Sequence, residues 1–216
     1  MKRTAIAAGI CLSLALAFSG NAQTAELKGP ETNLLKNSDF SAPTVRSAAD
    51  GWDSGIWIFE QVNRDKFEQK AKNLAAAKIV DTENGKALEL NRPVEVEKLM
   101  GNASDKFTLA SSQIVKLPDE NGGTYRITFD TRSETLGKNS SMQWLIMEFY
   151  DGSDPRPGRG KQTRNYFGRK ITASPNWKVQ QFEMPVPANT RDVKIRFRGD
   201  GCGKFQIRNP KFVKVK

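Results

Sequence analysis

The sequence contains no histidine. That absence excludes Ser-His-Asp and Cys-His nucleophilic catalysis, histidine-ligated zinc and phosphohistidine chemistry together. Any catalysis would fall to carboxylates, lysine, tyrosine or arginine. Cysteine is nearly as scarce. Of the two present, Cys11 lies in an apolar N-terminal run and Cys202 stands alone near the C-terminus. Once that run is removed no intramolecular disulfide can form, so Cys202 is expected to be a small turn or edge residue, with an intermolecular bridge as the alternative. Long apolar runs are missing too. Beyond Phe18 nothing approaches the roughly 20 residues that a membrane helix requires.

The N-terminus has the order of a secretory leader. Met1-Lys2-Arg3 is basic, Ala5 to Phe18 is apolar, and Gly20-Asn21-Ala22 places small residues at −3 and −1, so cleavage is expected after Ala22. Ile10 stands where a lipoprotein signal needs a small residue, which makes Cys11 an ordinary cysteine of the apolar segment; an uncleaved anchor is the alternative. Removing 22 of the 216 residues leaves 194, and losing Lys2 and Arg3 takes the net charge from +10 to +8. That length suits one domain, burying roughly 70% of its unfolded surface. The expected organisation is a signal peptide over 1–22, a flexible lead-in over 23–32 and a single domain over 33–216. The product is expected to be secreted or to reside in the periplasm or cell envelope. Its positive charge suits an anionic partner, or solubility alone.

What is present is mostly β-pattern. Tyr125, Ile127 and Phe129 alternate with Arg126, Thr128 and Asp130, and Met142 to Tyr150 is nearly continuous in apolar residues, as in a central strand. Phe107 to Leu117 is one strand or two. Trp177 and Val179 share one parity while Phe182, Met184 and Val186 share the other, which predicts a bulge near Gln180. Asp151 to Lys170 has the composition of a long loop. The helix signal lies over 65–78, where Gly, Pro and β-branched residues are absent, Asp65 can cap, and Phe67, Ala71 and Leu74 make one stripe. Val193, Ile195 and Phe197, then the turn Gly199 to Gly203, then Phe205 and Ile207 predict a closing antiparallel hairpin; Val213 and Val215 continue the parity past Pro210, itself a bulge or edge position. About eight strands and one inserted short helix predict an all-β sandwich of two antiparallel sheets, of jelly-roll or Greek-key type.

Several segments resemble the family 4/9 carbohydrate-binding modules of the galactose-binding-like jelly-roll superfamily. They are NLLKNSDF (Asn33 to Phe40) followed by Gly51-Trp52, then Gly85 to Leu90, Ser112 to Val115 leading to Thr124 to Asp130 with Arg132 beyond, and Thr172 to Trp177 with Phe182 to Pro187. The resemblance spans about Asn33 to Val215. It implies non-catalytic binding of a poly- or oligosaccharide on aromatic platforms flanked by polar groups. Such modules usually end with an aspartate pair, one carboxylate of which often binds a structural calcium; here Arg208 and Asn209 stand there. Arginine cannot ligate calcium, so neither metal nor other cofactor is expected.

Two candidate ligand-binding sets follow. If Leu145, Met147 and Phe149 face the core, Trp144, Glu148 and Tyr150 face outward, and with Arg132 they form a sheet-face sugar site. The alternative packs Trp144 and Tyr150 beneath the helix or a loop. The second set is the basic loop, Arg156, Arg159, Arg164, Tyr166 and Arg169, suited to a sulfated or uronic glycan; the alternative is a solvated loop. Trp52 is expected to plug the core and Trp57 is open. Arg196, Arg198 and Arg208 remain as a basic surface. Nucleic acid is disfavoured by export. Two further readings stand beside sugar binding: a structural or envelope-associated jelly roll, and a histidine-free glycoside hydrolase or lyase. The last would use Glu148 with Asp151 or Asp130 as its carboxylates, or Tyr150 or Tyr166 as its base.

Overall fold

Alternating apolar side chains require a covered face, and here two sheets cover each other. The computed structural model describes residues 31–41, 44–45, 48–49, 51–58, 74–100, 107–138 and 141–216. Its elements are β1 (Thr44–Val45), β2 (Ala48–Ala49), β3 (Asp53–Ile58), β4 (Ala76–Thr82), β5 (Gly85–Arg92), α1 (Val94–Met100), β6 (Phe107–Lys116), β7 (Gly123–Thr135), β8 (Met142–Tyr150), β9 (Gln162–Ile171), β10 (Lys178–Val186), β11 (Asp192–Asp200) and β12 (Gly203–Lys214). Sheet I has the order β10-β7-β12-β5-β4 and sheet II the order β3-β6-β11-β8-β9, while β1 and β2 pair separately. Every pairing is antiparallel. This is the expected jelly-roll sandwich. Among the described residues no helix is long and apolar enough to cross a membrane.

The core lies between the two sheets. Leu88, Leu90, Ile127, Phe129, Met184, Phe205 and Phe212 come from sheet I, and Leu109, Leu145, Met147, Phe149, Val193, Ile195 and Phe197 from sheet II. Phe197 sits at the junction, edge-on to Phe129 with centroids 4.9 Å apart and stacked on Trp52 at 5.6 Å. Trp52 is buried, the core plug its position predicted. Strand β8 alternates strictly, with Leu145, Met147 and Phe149 inward and Trp144, Ile146, Glu148 and Tyr150 half-buried on the outer face.

Four local expectations change. The predicted closing hairpin is an arch: β11 pairs with β6 and β8 in sheet II, whereas β12 pairs with β5 and β7 in sheet I. Alternation shows that both strands have an oily face, but both faces meet one core whether the turn joins strands of one sheet or crosses between sheets. In β12 the ladder slips between Arg208 and Lys211, with Asn209 at φ 52°. That one-residue bulge, anticipated at Pro210, flips the parity beyond it, so Phe212 enters the core in place of the phase set by Val213 and Val215. Strand β10 has no bulge near Gln180; its register with β7 is unbroken, and Val179 points outward, 75% exposed.

The helix expected over 65–78 falls mostly outside the described residues. Leu74 is helical, but Ala76, Ala77 and Lys78 already belong to β4, where Ala77 is buried opposite Leu90. Pairing overrides the helical preference of that alanine run. The described helix is α1, which directs Val96 and Met100, one turn apart, into the core and carries Glu95 and Glu97 in its first turn.

Because Phe197 contacts both Trp52 and Phe129, Phe197→Ala is expected to cost about 3–5 kcal/mol. Urea unfolding followed by tryptophan fluorescence measures this, and a loss below about 1 kcal/mol would contradict the packing assigned to it.

Candidate functional site

The outer face of sheet II collects the side chains of opposite parity to its core residues. Register places Ala110, Arg198, Trp144 and Lys170 in one row across the strands, Ser112, Arg196, Ile146 and Gly168 in the next, and Ile114, Lys194 and Glu148 in a third. Trp144, Ile146, Glu148, Tyr166, Gly168, Arg196 and Arg198 line a cleft of about 380 Å³.

Asp200 anchors this cleft. It is 3% exposed. Its Oδ2 accepts the Trp144 indole N–H at 3.0 Å, and its Oδ1 accepts the Thr108 hydroxyl at 2.6 Å. Arg198 donates through Nε at 2.7 Å and Nη2 at 3.0 Å, one bond to each oxygen. Behind it the buried Arg92 donates to the Asp200 carbonyl at 2.9 Å. Burial pushes the Arg92 guanidinium down to about 10, against the pull of Asp200. A buried carboxylate is tolerable only with its donors in place, and these donors fix the Trp144 and Arg198 side chains at the same time.

The opposite wall is Tyr166, 65% exposed. Its ring rests on Gly168, where a Cβ would come within 2.9 Å of the tyrosine Cε2. Glycine is the residue that lets this ring lie so near the strand. Between the walls Arg196 donates to Glu148 at 3.0 Å. Tyr150 follows on β8; burial, and then the neighbouring Glu148, push its phenol pKa up, with Gln162 and Arg196 opposing.

The sequence-derived sets are redistributed. Trp144, Glu148 and Tyr150 do share the outer face of sheet II. Arg132 does not: it lies on the outer face of sheet I, over the Trp177 ring at 4.9 Å and bonded to Gln206. The basic loop is half strand, since β9 takes Gln162 to Ile171. Arg156 is held by Asp154 through two side-chain bonds of 3.0 and 2.6 Å, and Arg159 is exposed nearby. Arg164 turns toward the sandwich edge, over Phe149 at 5.2 Å and bonded to the Pro185 carbonyl, and Arg169 lies over Phe167 at 4.2 Å. Of that set, Tyr166 alone lines the cleft. Arg208 lies over Trp177 at 4.1 Å and, with Asn209, bonds Asp130 on the sheet I face.

The sequence reading missed Arg196 and Arg198 as cleft residues, although their phase opposite to Ile195 and Phe197 placed them outward. Asp200 was visible only as a turn residue, because its partners come from three other strands. Gly168 gave no signal inside a stretch of loop-like composition.

The segment from Asp151 to Lys161 closes one end of this face. Asp151 Oδ1 accepts the backbone N–H of Ser153 at 2.8 Å and of Lys161 at 3.1 Å, and Asp154 accepts that of Arg156 at 2.9 Å. Backbone donation from Ser153 holds the Asp151 pKa below its usual range; for Asp154 the Arg156 side chain is the larger cause. Depressed carboxylate pKa values stabilise the folded loop above the unfolded value, and that stabilisation is lost as pH falls through the folded values. Amide exchange at Ser153, Arg156 and Lys161 is therefore expected to accelerate, beyond its intrinsic pH dependence, below about pH 4. An Asp151→Asn/Asp154→Asn variant should lose that pH dependence; a wild-type loop equally protected at pH 2 and pH 6 would contradict the assignment.

No protein-family model matches the sequence, and no curated protein matches it. Solved structures do match. The enzymatically active domain of tailspike protein 4 from bacteriophage CBA120 aligns at TM-score 0.55 and 12% identity, over 85% of this chain and 21% of that one. This chain therefore spans about a fifth of the tailspike chain. A protein from Bacteroides thetaiotaomicron VPI-5482 named for sugar binding aligns at TM-score 0.51 and 12% identity, over 85% of this chain and all of its own. A family 61 carbohydrate-binding module in complex with β-1,4-galactotriose gives TM-score 0.49 at 17% identity, over 85% and 99%. At such identities the likeness is one of fold. In fold, the chain is a jelly-roll domain similar to the tailspike domain and to the Bacteroides protein.

Proposed function

We propose that this chain is a non-catalytic saccharide-binding module whose ligand lies across the outer face of sheet II. The observation that carries the reading is the pair of walls around the cleft. Trp144 is locked by Asp200, and Tyr166 is seated on Gly168. Aromatic rings offer apolar faces to the C–H groups of a pyranose, and the intervening Arg196–Glu148 pair offers donors beside acceptors, as vicinal hydroxyls require. The leader expected over 1–22 would put this binding outside the cytoplasm.

The catalytic readings find less support. Asp130 and Glu148 point from different sheets, so they do not face one scissile bond. Asp151 is engaged by backbone N–H groups of its own loop. The phenol of Tyr150 is shifted away from the range of a base.

Wild-type protein is expected to bind on a glycan array, and titration calorimetry on the ligand found should show a tenfold or greater loss in each of Trp144→Ala and Tyr166→Ala, equivalent to about 1.4 kcal/mol. Arg132→Ala, on the other sheet, should bind as wild type. A blank array would leave the jelly roll as a structural domain, and wild-type affinity in both aromatic variants would place the ligand off this face.

A further inference from the structure

A second cleft adjoins the first. It encloses about 440 Å³ between the Leu34–Lys36 segment, the end of β6 and the Pro155–Pro157 turn. Leu34, Ile114, Pro155 and Pro157 give it an apolar floor, and Lys36 and Lys116 stand at its rim. Ile114 is 41% exposed. It shares a row with Lys194 and Glu148, and Glu148 lines the first cleft, so the two clefts are neighbours along one face.

This cleft is built in advance. Gln113, 3% exposed, clamps Lys36 from both sides: its Oε1 accepts the Lys36 N–H at 2.7 Å and its Nε2 donates to the Lys36 carbonyl at 3.0 Å. Gly158, at φ 66°, presses on Ile114 so closely that a Cβ would lie 2.8 Å from Cδ1. Arg191 ties the turn down through the carbonyls of Gly152 and Asp154, at 2.9 and 3.1 Å. A preformed site loses little freedom when a ligand enters.

Its charges are unspent. Lys78, Arg132 and Arg208 of sheet I each reach a carboxylate. The ammonium groups of its Lys36 and Lys116 reach no carboxylate among the described residues. Arg191 and Asp192, which also line the cleft, neutralise each other at 2.9 Å. An apolar floor beneath uncompensated cations fits a ring with one C–H face and a negative substituent.

We propose that this second cleft takes an anionic sugar unit, a pyranose carrying a carboxylate or sulfate, of the glycan whose neighbouring residues occupy the Trp144 cleft. The inference rests on the saccharide reading and names its ligand as acidic. The basic residues of the 151–170 stretch are not needed for it; the acid is read by Lys36 and Lys116.

An array carrying neutral, uronate and sulfated glycans separates the two claims. Binding to acidic glycans supports both. Binding confined to neutral glycans overturns this proposal and leaves the saccharide reading standing, and a blank array overturns both. On an acidic ligand, affinity for the uronate chain over its carboxyl-reduced form, or for the sulfated chain over its desulfated form, should be at least tenfold at 50 mM NaCl. That ratio should fall toward one at 500 mM, where screening shortens the reach of exposed charges. A Lys36→Gln/Lys116→Gln variant should bring the ratio to about one at low salt. Lys178→Gln/Lys211→Gln on sheet I removes the same net charge and should leave the ratio as in wild type. Loss of preference in both double variants alike, or in neither, would overturn the assignment.

Discussion

One buried carboxylate, that of Asp200, sets the geometry on which the proposed ligand face depends. It closes β11 at the edge of the core, where the chain leaves sheet II for sheet I. Thr108 of β6, Trp144 of β8 and Arg198 of its own strand converge on its two oxygens, and Arg92 of β5 supports its carbonyl from the interior. An ionised group so enclosed is costly unless every neighbour donates. The same requirement that makes Asp200 acceptable holds the tryptophan at one orientation. Stability and the proposed recognition are thereby coupled through one side chain.

The arch that Asp200 begins also explains why the two sheets hold together. Strand β11 is the middle strand of sheet II and β12 the middle strand of sheet I. Consecutive in sequence, they present Phe197 and Phe205 to a common interior, and Phe197 reaches across to Phe129. Both strands are flanked on each side, so neither presents an open edge. The Asn209 bulge then re-aims the rest of β12 and delivers Phe212 against Tyr125, centroids 5.2 Å apart.

Charge is distributed unequally between the two outer faces. On sheet I, Lys78, Glu89, Gln206, Arg132, Glu83, Arg208 and Asp130 form one continuous chain of polar contacts. Exposed pairs of this kind contribute little stability singly, but they leave few charges seeking a ligand. On sheet II the arginines of the first cleft are engaged by Asp200 and Glu148, whereas the lysines of the second are not. Hydroxyl recognition suits the former arrangement and anion recognition the latter.

Much of this is legible in the amino-acid order. Period-two alternation in β7, β8 and β11 marks the core residues, and with them the outward turn of Trp144, Glu148, Arg196 and Arg198, because successive side chains on a strand must oppose each other. The buried Trp52 and the bulge near Pro210 follow from local chemistry as well. Other features have no local signature. Strand β9 is concealed because Phe167 and Ile171 are its only buried apolar residues, so its composition is that of a loop. Arg132 and Trp144 are both outward, yet from opposite sheets, and alternation is blind to which sheet a strand joins. Sequence by itself determined the inward and outward sides of β7, β8 and β11, since that depends only on the pleat. Tertiary structure alone decided which outward sides meet, because the arch, the bulge and the buried Asp200 depend on partners far apart in the chain.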